Sequence, residues 1–513
     1  MKPVSWSMPN LSRLSNLAHP SALRYLAVGT VAFGMLLRIW QYFIDRSLWF
    51  DEAMLALNIV GRSFGGLTQP LDYSQGAPFG FLFVEKAAIY MLGNRDHVLR
   101  LLPIISGVAA MLLIYEVANL YLEGTGIFVA VLAFAVSDRL IYYASEAKQY
   151  SCDVAISLVL LWFAYKCLKR DSSPRHFGGL ALVGLISMWM SHPASFTLGA
   201  IGFSLLSDRL LKKDWRRLSW LGLVFLVWVA SFTGLYYVSL RVLATNSILV
   251  KYWRNYFMPM PPWQDLAWFP ESFARAIENP AGLSFVWISA IFFLIGSLSL
   301  FFKRWQTALI LFLPFPAVLL ASGLEKYPFG DRLLLFIVPS MFMIIAEGLE
   351  RARWALSKVN RWVALGTWTI VLLLLAYNPT NLALHNLAAP PMREEIKPVM
   401  SYVHDHELDN DLVYVYYGAM PAFKYYAPQY SFSEADYVIG VTSRNRPAKY
   451  FKDVKSLEGQ GRVWFIFSHN CSWCIVNEEA YYLDNLNKMG AKLDEYMANG
   501  ASAYLFYLEK PKQ

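Results

Sequence analysis

Charge is what this chain has least of. Only 16% of its 513 residues are Asp, Glu, Lys or Arg, where ordinary soluble domains carry roughly 25%. With 56% hydrophobic residues and a mean hydropathy of +0.36, that deficit excludes an ordinary soluble protein and points to a membrane protein. Cysteine is scarce as well. Four residues are too few for a disulfide scaffold. Cys471-Ser-Trp-Cys474 lacks a thioredoxin-like context, so a local disulfide is expected there. No short apolar stretch followed by a small-residue cleavage site opens the chain, so residues 21–43 are expected to be a retained span, not a signal peptide. Walker and His-Glu-x-x-His motifs are missing, and Gly124-Thr-Gly126 has no third glycine in place.

What charge there is has a pattern. The net charge is +8, but the cations gather in short connectors between apolar runs. That is the signature of the positive-inside rule, not of a surface tracking nucleic-acid phosphates. Residues 1–20 are polar and basic and read as cytoplasmic. Apolar runs follow at 21–43, 101–120, 125–137, 153–168, 177–191, 194–207, 218–240, 281–302, 307–322, 332–349 and 362–378. Segment 77–92 is about 16 residues, short of the roughly 20 a span needs, and reads as re-entrant or interfacial. The expectation is an α-helical polytopic membrane domain over 21–380 with eleven crossings, or thirteen if 53–71 also dips in. The acidic connector 121–124 sits awkwardly in this scheme, on the side where cations are expected. Two polar intervals face outward, 44–76 and 242–280, the second broken by Pro259, Pro261, Pro262 and Pro270 and read as a membrane-surface lid. Residues 390–513 read as an extracytoplasmic α/β domain. Its helices are expected near 394–404, 419–426 and 478–489, and its strands near 411–417, 463–468 and 501–508.

The candidate chemistry lies at the outer boundary. Ser47-Leu48-Trp49-Phe50-Asp51-Glu52 follows the first span, so two carboxylates sit where the chain leaves hydrocarbon. Proton affinity is altered there, which suits a general base; the plainer reading is that Asp51 N-caps a helix over 52–60. In segment 138–150, a helix would put Arg139, Tyr143, Glu146 and Tyr150 on one face at spacings of four, three and four. Such a face offers a wall for a sugar phosphate, or an anchor at the headgroups. Arg332, at the head of a span after Lys326-Tyr327-Pro-Phe-Gly-Asp331, is placed to contact a lipid phosphate or to snorkel. His192, beside Pro193 at an outward turn, is a metal or phosphate ligand or a structural residue. Gln75-Gly76-Ala77-Pro78 presents N–H groups to an anion or forms a plain turn. Asp409-Asn410-Asp411 has the Asp-x-Asp form of a metal site but precedes a strand and reads as a turn. Asn470-Cys471-Ser472 matches the glycosylation pattern.

Taken in order, Trp49-Phe50-Asp51-Glu52, Gly76-Ala77-Pro78, Glu146-Ala147-Lys148-Gln149-Tyr150, Ser191-His192-Pro193-Ala194 and Tyr327-Pro-Phe-Gly-Asp-Arg332 resemble the bacterial GT-C glycosyltransferases of the protein O-mannosyltransferase and aminoarabinose-transferase superfamily. The resemblance covers roughly residues 20–378. It implies a GT-C fold, a polyprenyl-phosphate sugar donor, and an active site outside the bacterial cytoplasmic membrane. Asp51 would act as base toward the acceptor, with Glu146 as a second acidic position and Glu52 adjacent to orient a loop. A divalent cation (Mg, Mn or Zn) assists some members, and Asp51 and Glu146 are then its ligands. The re-entry departs from the usual Pro-Pro-Leu with a preceding basic residue. That shifts the expected donor-phosphate contacts to Lys148, Arg332 and Arg139, with Tyr143, Tyr150, His192 and Tyr327 toward the substrate. A protein, lipid or glycan acceptor fits equally well. The rival readings are a non-catalytic polyprenyl-lipid flippase and an oligosaccharide ligase using a lipid-pyrophosphate donor.

Overall fold

A computed structural model describes residues 20–443, 446–470 and 477–509. The proposed cytoplasmic segment 1–19 and the Cys471–Cys474 pair, with the glycosylation pattern that includes Cys471, lie outside the described residues. The chain divides into two compact units. One comprises Met1–Phe43, Gly76–Val84 and Arg100–Ala389; the other comprises Ile44–Gln75, Glu85–Leu99 and Pro390–Gln513.

The first unit is helical. Among the described residues, seven helices are long and apolar enough to cross a membrane: Ala22–Phe43, Leu101–Tyr121, Tyr150–Leu168, Trp215–Ala244, Val286–Phe312, Asp331–Ser357 and Arg361–Ala388. Thr125–Val136, Pro174–Met190, Ala194–Leu211 and Pro314–Gly323 are further apolar helices matching the remaining runs. A chain of this composition is an integral membrane protein. Helix Phe79–Leu92 has 14 residues, shorter than a span needs. Residues 53–71 do not dip in as a further span. They belong to a 12-residue helix, Phe50–Gly61, and a short 3-10 turn after it.

The basic connectors of this unit are tied together at one end. Arg217 donates to the carbonyls of Arg170 and Ser172, and Gln306 donates to Asp208 at 2.8 Å. Glu123 pairs with Arg304, so the awkward acidic connector 121–124 meets a cation from the connector at 303–304. Its charge is neutralised there. Elsewhere the helices meet through small residues. A Cβ added at Gly296 would overlap the Ile344 carbonyl, and one at Gly348 the Phe292 carbonyl. Helices Val286–Phe312 and Val338–Ser357 therefore touch backbone to backbone, the close approach that small residues permit between membrane helices.

In the second unit, residues 390–509 form a five-stranded sheet. Its strands are β1 (Leu412–Val415), β2 (Tyr437–Ile439), β3 (Gly461–Ser468), β4 (Gly490–Ala498) and β5 (Ala501–Leu508), in the order β2-β1-β3-β5-β4. β1 runs parallel to β2 and β3, while β5 is antiparallel to β3 and β4. A tight Asn499-Gly500 turn joins β4 to β5, with Gly500 at φ +67°, as that dipeptide favours. Tyr414, Tyr416, Tyr482, Phe465, Phe467 and Phe506 fill the core on one face. Residues 44–75, expected as an outer loop of the membrane domain, cluster instead with this module. The reason is hydrogen bonding: their backbone donors find acceptors on residues 394, 395 and 426.

The glycine contact yields a direct prediction. Gly348→Ala should destabilise the protein by about 1–3 kcal/mol through overpacking, seen as a lowered melting temperature in detergent, whereas Gly366→Ala, where added volume meets nothing, should not.

Candidate active site

Asp51 belongs to the second unit. Helix Phe50–Gly61 has Trp49 as its N-cap residue, in extended backbone. Asp51 is therefore the second helical residue and does not cap, which corrects the plainer reading of its role. An indole cannot accept a hydrogen bond from helix amides, so the first donors are met by carboxylates. Glu52 is fully buried, and its Oε2 accepts from the Trp49 N–H at 3.4 Å. That bond orients the segment entering the helix. Gln75 Nε2 donates to Asp51 Oδ1 at 3.1 Å and lies 3.6 Å from Met54 Sδ. The amide fixes the direction of the Asp51 carboxylate. Gln75 was legible only as part of the Gln-Gly-Ala-Pro turn.

The other candidate residues belong to the membrane unit. Helix Asp138–Tyr143 stops at Tyr143, residues 144–149 form turns, and a new helix starts at Tyr150. The single face proposed for Arg139, Tyr143, Glu146 and Tyr150 does not exist. The turn is held by Gln149 Nε2, which donates to the Gly76 carbonyl at 3.3 Å, and by Ala144 packed on Gly107. It nevertheless brings several of the residues together. The rings of Tyr143 and Tyr150 meet edge to face at 5.2 Å. The Arg332 guanidinium sits over Tyr150 at 5.8 Å and over Trp253 at 5.6 Å. Burial, then Glu146 and Asp331, push the Tyr143 hydroxyl up, with Arg332 opposing them. Glu146 and Lys148 are both buried in the turn, linked by the Lys148 N–H donating to the Glu146 carbonyl at 2.7 Å.

Tyr327 is half-buried close by. Its hydroxyl donates to the Leu333 carbonyl at 2.8 Å, and burial, Asp153 and Tyr150 raise its pKa. Asp331 adopts φ +50°, and its Oδ1 accepts from Asn279 at 3.1 Å, which shapes the loop that presents Arg332. Segment 256–258 of the proposed lid lies on the same loop, since the Phe329 N–H donates to the Tyr256 carbonyl and Ser322 Oγ accepts from Met258. Arg139 is placed differently. It is part-exposed and 3.6 Å from its neighbour Asp138, a pairing away from the cluster around Arg332 described above.

Sequence reasoning also passed over Arg38 and Asp153. Arg38 is buried in the first span and donates to the carbonyls of Gly34, Phe134 and Ala135, satisfying the end of helix Thr125–Val136. It lines a small pocket with Tyr143, Tyr150 and Ser151. An arginine amid apolar runs reads as a boundary residue, so no signal pointed inward. Asp411 of the Asp-x-Asp sequence is held by Arg462 and Trp464 at the turn before β1. Among the described residues no three His, Cys, Asp or Glu side chains cluster as a metal cage.

His192 lies in the turn between Pro174–Met190 and Ala194–Leu211, and burial pushes its imidazole down to about 4. This folded value lies below the ordinary 6.5, so the unfolded chain takes up the proton first. The stability His192 contributes is full above pH 6.5 and is lost as pH falls toward 4. Accordingly, the melting temperature of His192→Gln should fall less between pH 6.5 and pH 4 than that of the unaltered protein. Equal pH slopes would show that His192 does not titrate in this way.

Together these features define a class: a polytopic membrane protein with the GT-C glycosyltransferase fold. Residues 76–252 match the model of the dolichyl-phosphate-mannose-protein mannosyltransferase family. The fold is similar to that of ArnT from Cupriavidus metallidurans bound to undecaprenyl phosphate, at 13% identity over 93% of this chain and 97% of that one, with a TM-score of 0.54. In the apo state of that protein the TM-score is 0.56 at the same identity. The archaeal oligosaccharyltransferase AglB from Archaeoglobus fulgidus, in complex with an inhibitory peptide and a dolichol-phosphate, is similar at 11% identity. There the match covers 94% of this chain and 74% of that one, with a TM-score of 0.51. No curated protein sequence matches the chain.

Proposed function

We propose that this protein transfers a single sugar from a polyprenyl-phosphate carrier to a hydroxyl or other nucleophile on the outer face of the bacterial cytoplasmic membrane. The observation that carries the reading is Asp51, set in the first turn of a helix and aimed by Gln75, in a chain whose GT-C fold is shared with an ArnT bound to undecaprenyl phosphate. A lipid-borne donor suits that face, because nucleotide sugars are absent there and no nucleotide-binding fold is needed.

In this reaction the acceptor O–H gives its proton to the Asp51 carboxylate. Its oxygen forms a bond to the anomeric carbon, and the bond from that carbon to the phosphate oxygen breaks. One displacement inverts the anomeric centre. The departing polyprenyl phosphate gains negative charge, which Lys148 and Arg332 stabilise. An Arg332 wedged between two aromatic rings is pre-organised for a phosphate in a way a mobile surface cation is not. Glu146 lies beside Tyr143 in the same buried turn, where it orients the wall that faces the sugar. A divalent cation, if used, would be held by a carboxylate of this chain, with Asp51 and Glu146 the candidates, and would supply further positive charge to the departing phosphate.

The test uses purified protein in lipid with undecaprenyl-phosphate carrying a radiolabelled hexose or pentose. Label should move from lipid to acceptor with cleavage of the glycosidic bond. Asp51→Asn should slow this roughly 10²- to 10⁴-fold while donor binding stays close to the unaltered value. Full activity in that variant removes Asp51 from the mechanism. Translocation of intact label identifies a flippase, and competition by a lipid pyrophosphate sugar identifies a ligase. Arg332→Lys, which keeps the charge but loses the planar fork, should raise KM for the donor several-fold.

A further inference from the structure

The base proposed above must point in one direction, yet its helix is begun by side chains from far along the chain. The first N–H groups of any helix have no acceptor within it. Here the Phe50 N–H donates to Glu394 Oε2 at 2.7 Å. The Leu48 N–H donates to the Tyr426 hydroxyl at 2.8 Å, which in turn donates to Asp96 at 2.6 Å. The Ser47 N–H and hydroxyl both reach Glu395 Oε2, at 3.1 Å each. Four donors within four residues, immediately before Asp51, are thus satisfied by the C-terminal module.

Glu394 has a second partner. His469, just past β3, lies 2.7 Å from Glu394 Oε1 through Nδ1; a carboxylate only accepts, so the proton sits on Nδ1. The same imidazole lies flat on the Phe50 ring, with centroids 3.9 Å apart and planes at 3°. His469 holds this pose at φ +54°, a left-handed conformation that non-glycine residues adopt only when surroundings impose it. The backbone around Glu394 is itself fixed by the β4–β5 turn. The Asn499 carbonyl accepts from the Glu395 N–H at 2.8 Å, Asn499 Nδ2 donates to the Met392 carbonyl at 2.8 Å, and Gly500 packs so closely on the Arg393 carbonyl that a Cβ would overlap it.

We infer that Glu394 and His469 are positioning residues for Asp51, and that the α/β module acts as a clamp setting the start of the base-bearing helix. The inference rests on the reading of Asp51 as general base. Glu394 is suited to the task because an anion at a helix N-terminus is favoured by the aligned peptide dipoles. Without it the Phe50 amide loses its acceptor, the first turn frays, and the carboxylate one residue on loses its aim. His469 prevents that loss twice over, by holding the Glu394 carboxylate and by pressing on Phe50.

Hydrogen exchange and kinetics on the full-length protein in lipid decide the matter. In Glu394→Ala and in His469→Phe, which keeps the ring but not the hydrogen bond, amide exchange across residues 47–56 should accelerate. The rate kcat should fall roughly 10- to 100-fold, as expected for a misplaced catalytic group, with KM for an undecaprenyl-phosphate sugar changed by less than about twofold. Glu394→Gln, which retains an acceptor oxygen, should recover most of the rate. Asp51→Asn should lose the rate but leave exchange as in the unaltered protein. Unaltered exchange and kcat in Glu394→Ala and His469→Phe overturn the clamp. Full activity in Asp51→Asn overturns the base instead, and the exchange data then still judge the clamp. Should Glu394→Ala not fold by thermal unfolding, His469→Phe carries the test.

Discussion

The hydrogen bond from the Phe50 amide to Glu394 spans 344 positions of sequence, and the organisation of the second unit follows from it. A helix that opens on Trp49 has only Glu52 as a side-chain acceptor of its own, for the Trp49 N–H, and the acceptors for residues 47, 48 and 50 come from elsewhere. Bringing them from so far along the chain carries a closure cost that grows only slowly with separation. The cost is offset because the acceptors sit on a sheet with its own aromatic core. The same sheet fixes their positions through the Asn499-Gly500 turn. Segment 44–61 is therefore not a loop with a helix in it. It is part of the same compact unit as the C-terminal module, although it is encoded next to the first span.

The membrane unit is organised by a different constraint. Lipid offers no hydrophobic drive to press apolar helices together, so contact depends on close backbone approach and on polar links. Gly296 and Gly348 supply the first. The second appears as Ser299 and Lys303 on Glu347 and as Arg38 on the end of helix Thr125–Val136. Charge is confined in the same way. Glu123 meets Arg304, and Glu350 holds Arg353 and Thr125, so the acids at the connectors are used up in local neutralisation.

Much of this was legible in the sequence, and the failures have identifiable causes. The apolar runs became helices, since hydropathy dominates in membrane segments. Helix Glu478–Met489 and strand Ala501–Leu508 appear with the expected ends, the helix marked by Asn477 as cap and the strand by the Asn-Gly turn. β4 went unseen because it is an edge strand whose side chains are mostly exposed, so it shows no apolar alternation. β2 has only three residues, and helix Pro447–Lys455 is rich in lysine. Segment 138–150 failed for the opposite reason. Its spacing fits a helix, but packing of Ala144 on Gly107 and the Gln149–Gly76 bond break it after Tyr143. Among the candidate site residues, Asp51, Tyr143, Tyr150 and Arg332 could be proposed by type and place. Gln75, Glu394 and His469 could not, because their roles depend on a fold that brings distant segments together.

The two-residue turn between β4 and β5 has a bearing on biogenesis. Ribosomes deliver a chain from its N-terminus at about 5–20 residues per second, so residues 47–50 leave the first span long before Glu394, His469 or Asn499 exist. During that interval the start of the Asp51 helix has none of its final supports. The hydrogen bonds that hold residues 47–50 are complete only after residues 394–500 have been made and the last hairpin has closed. The start of this helix is therefore among the last parts of the second unit to be secured, although it is among the first to be made.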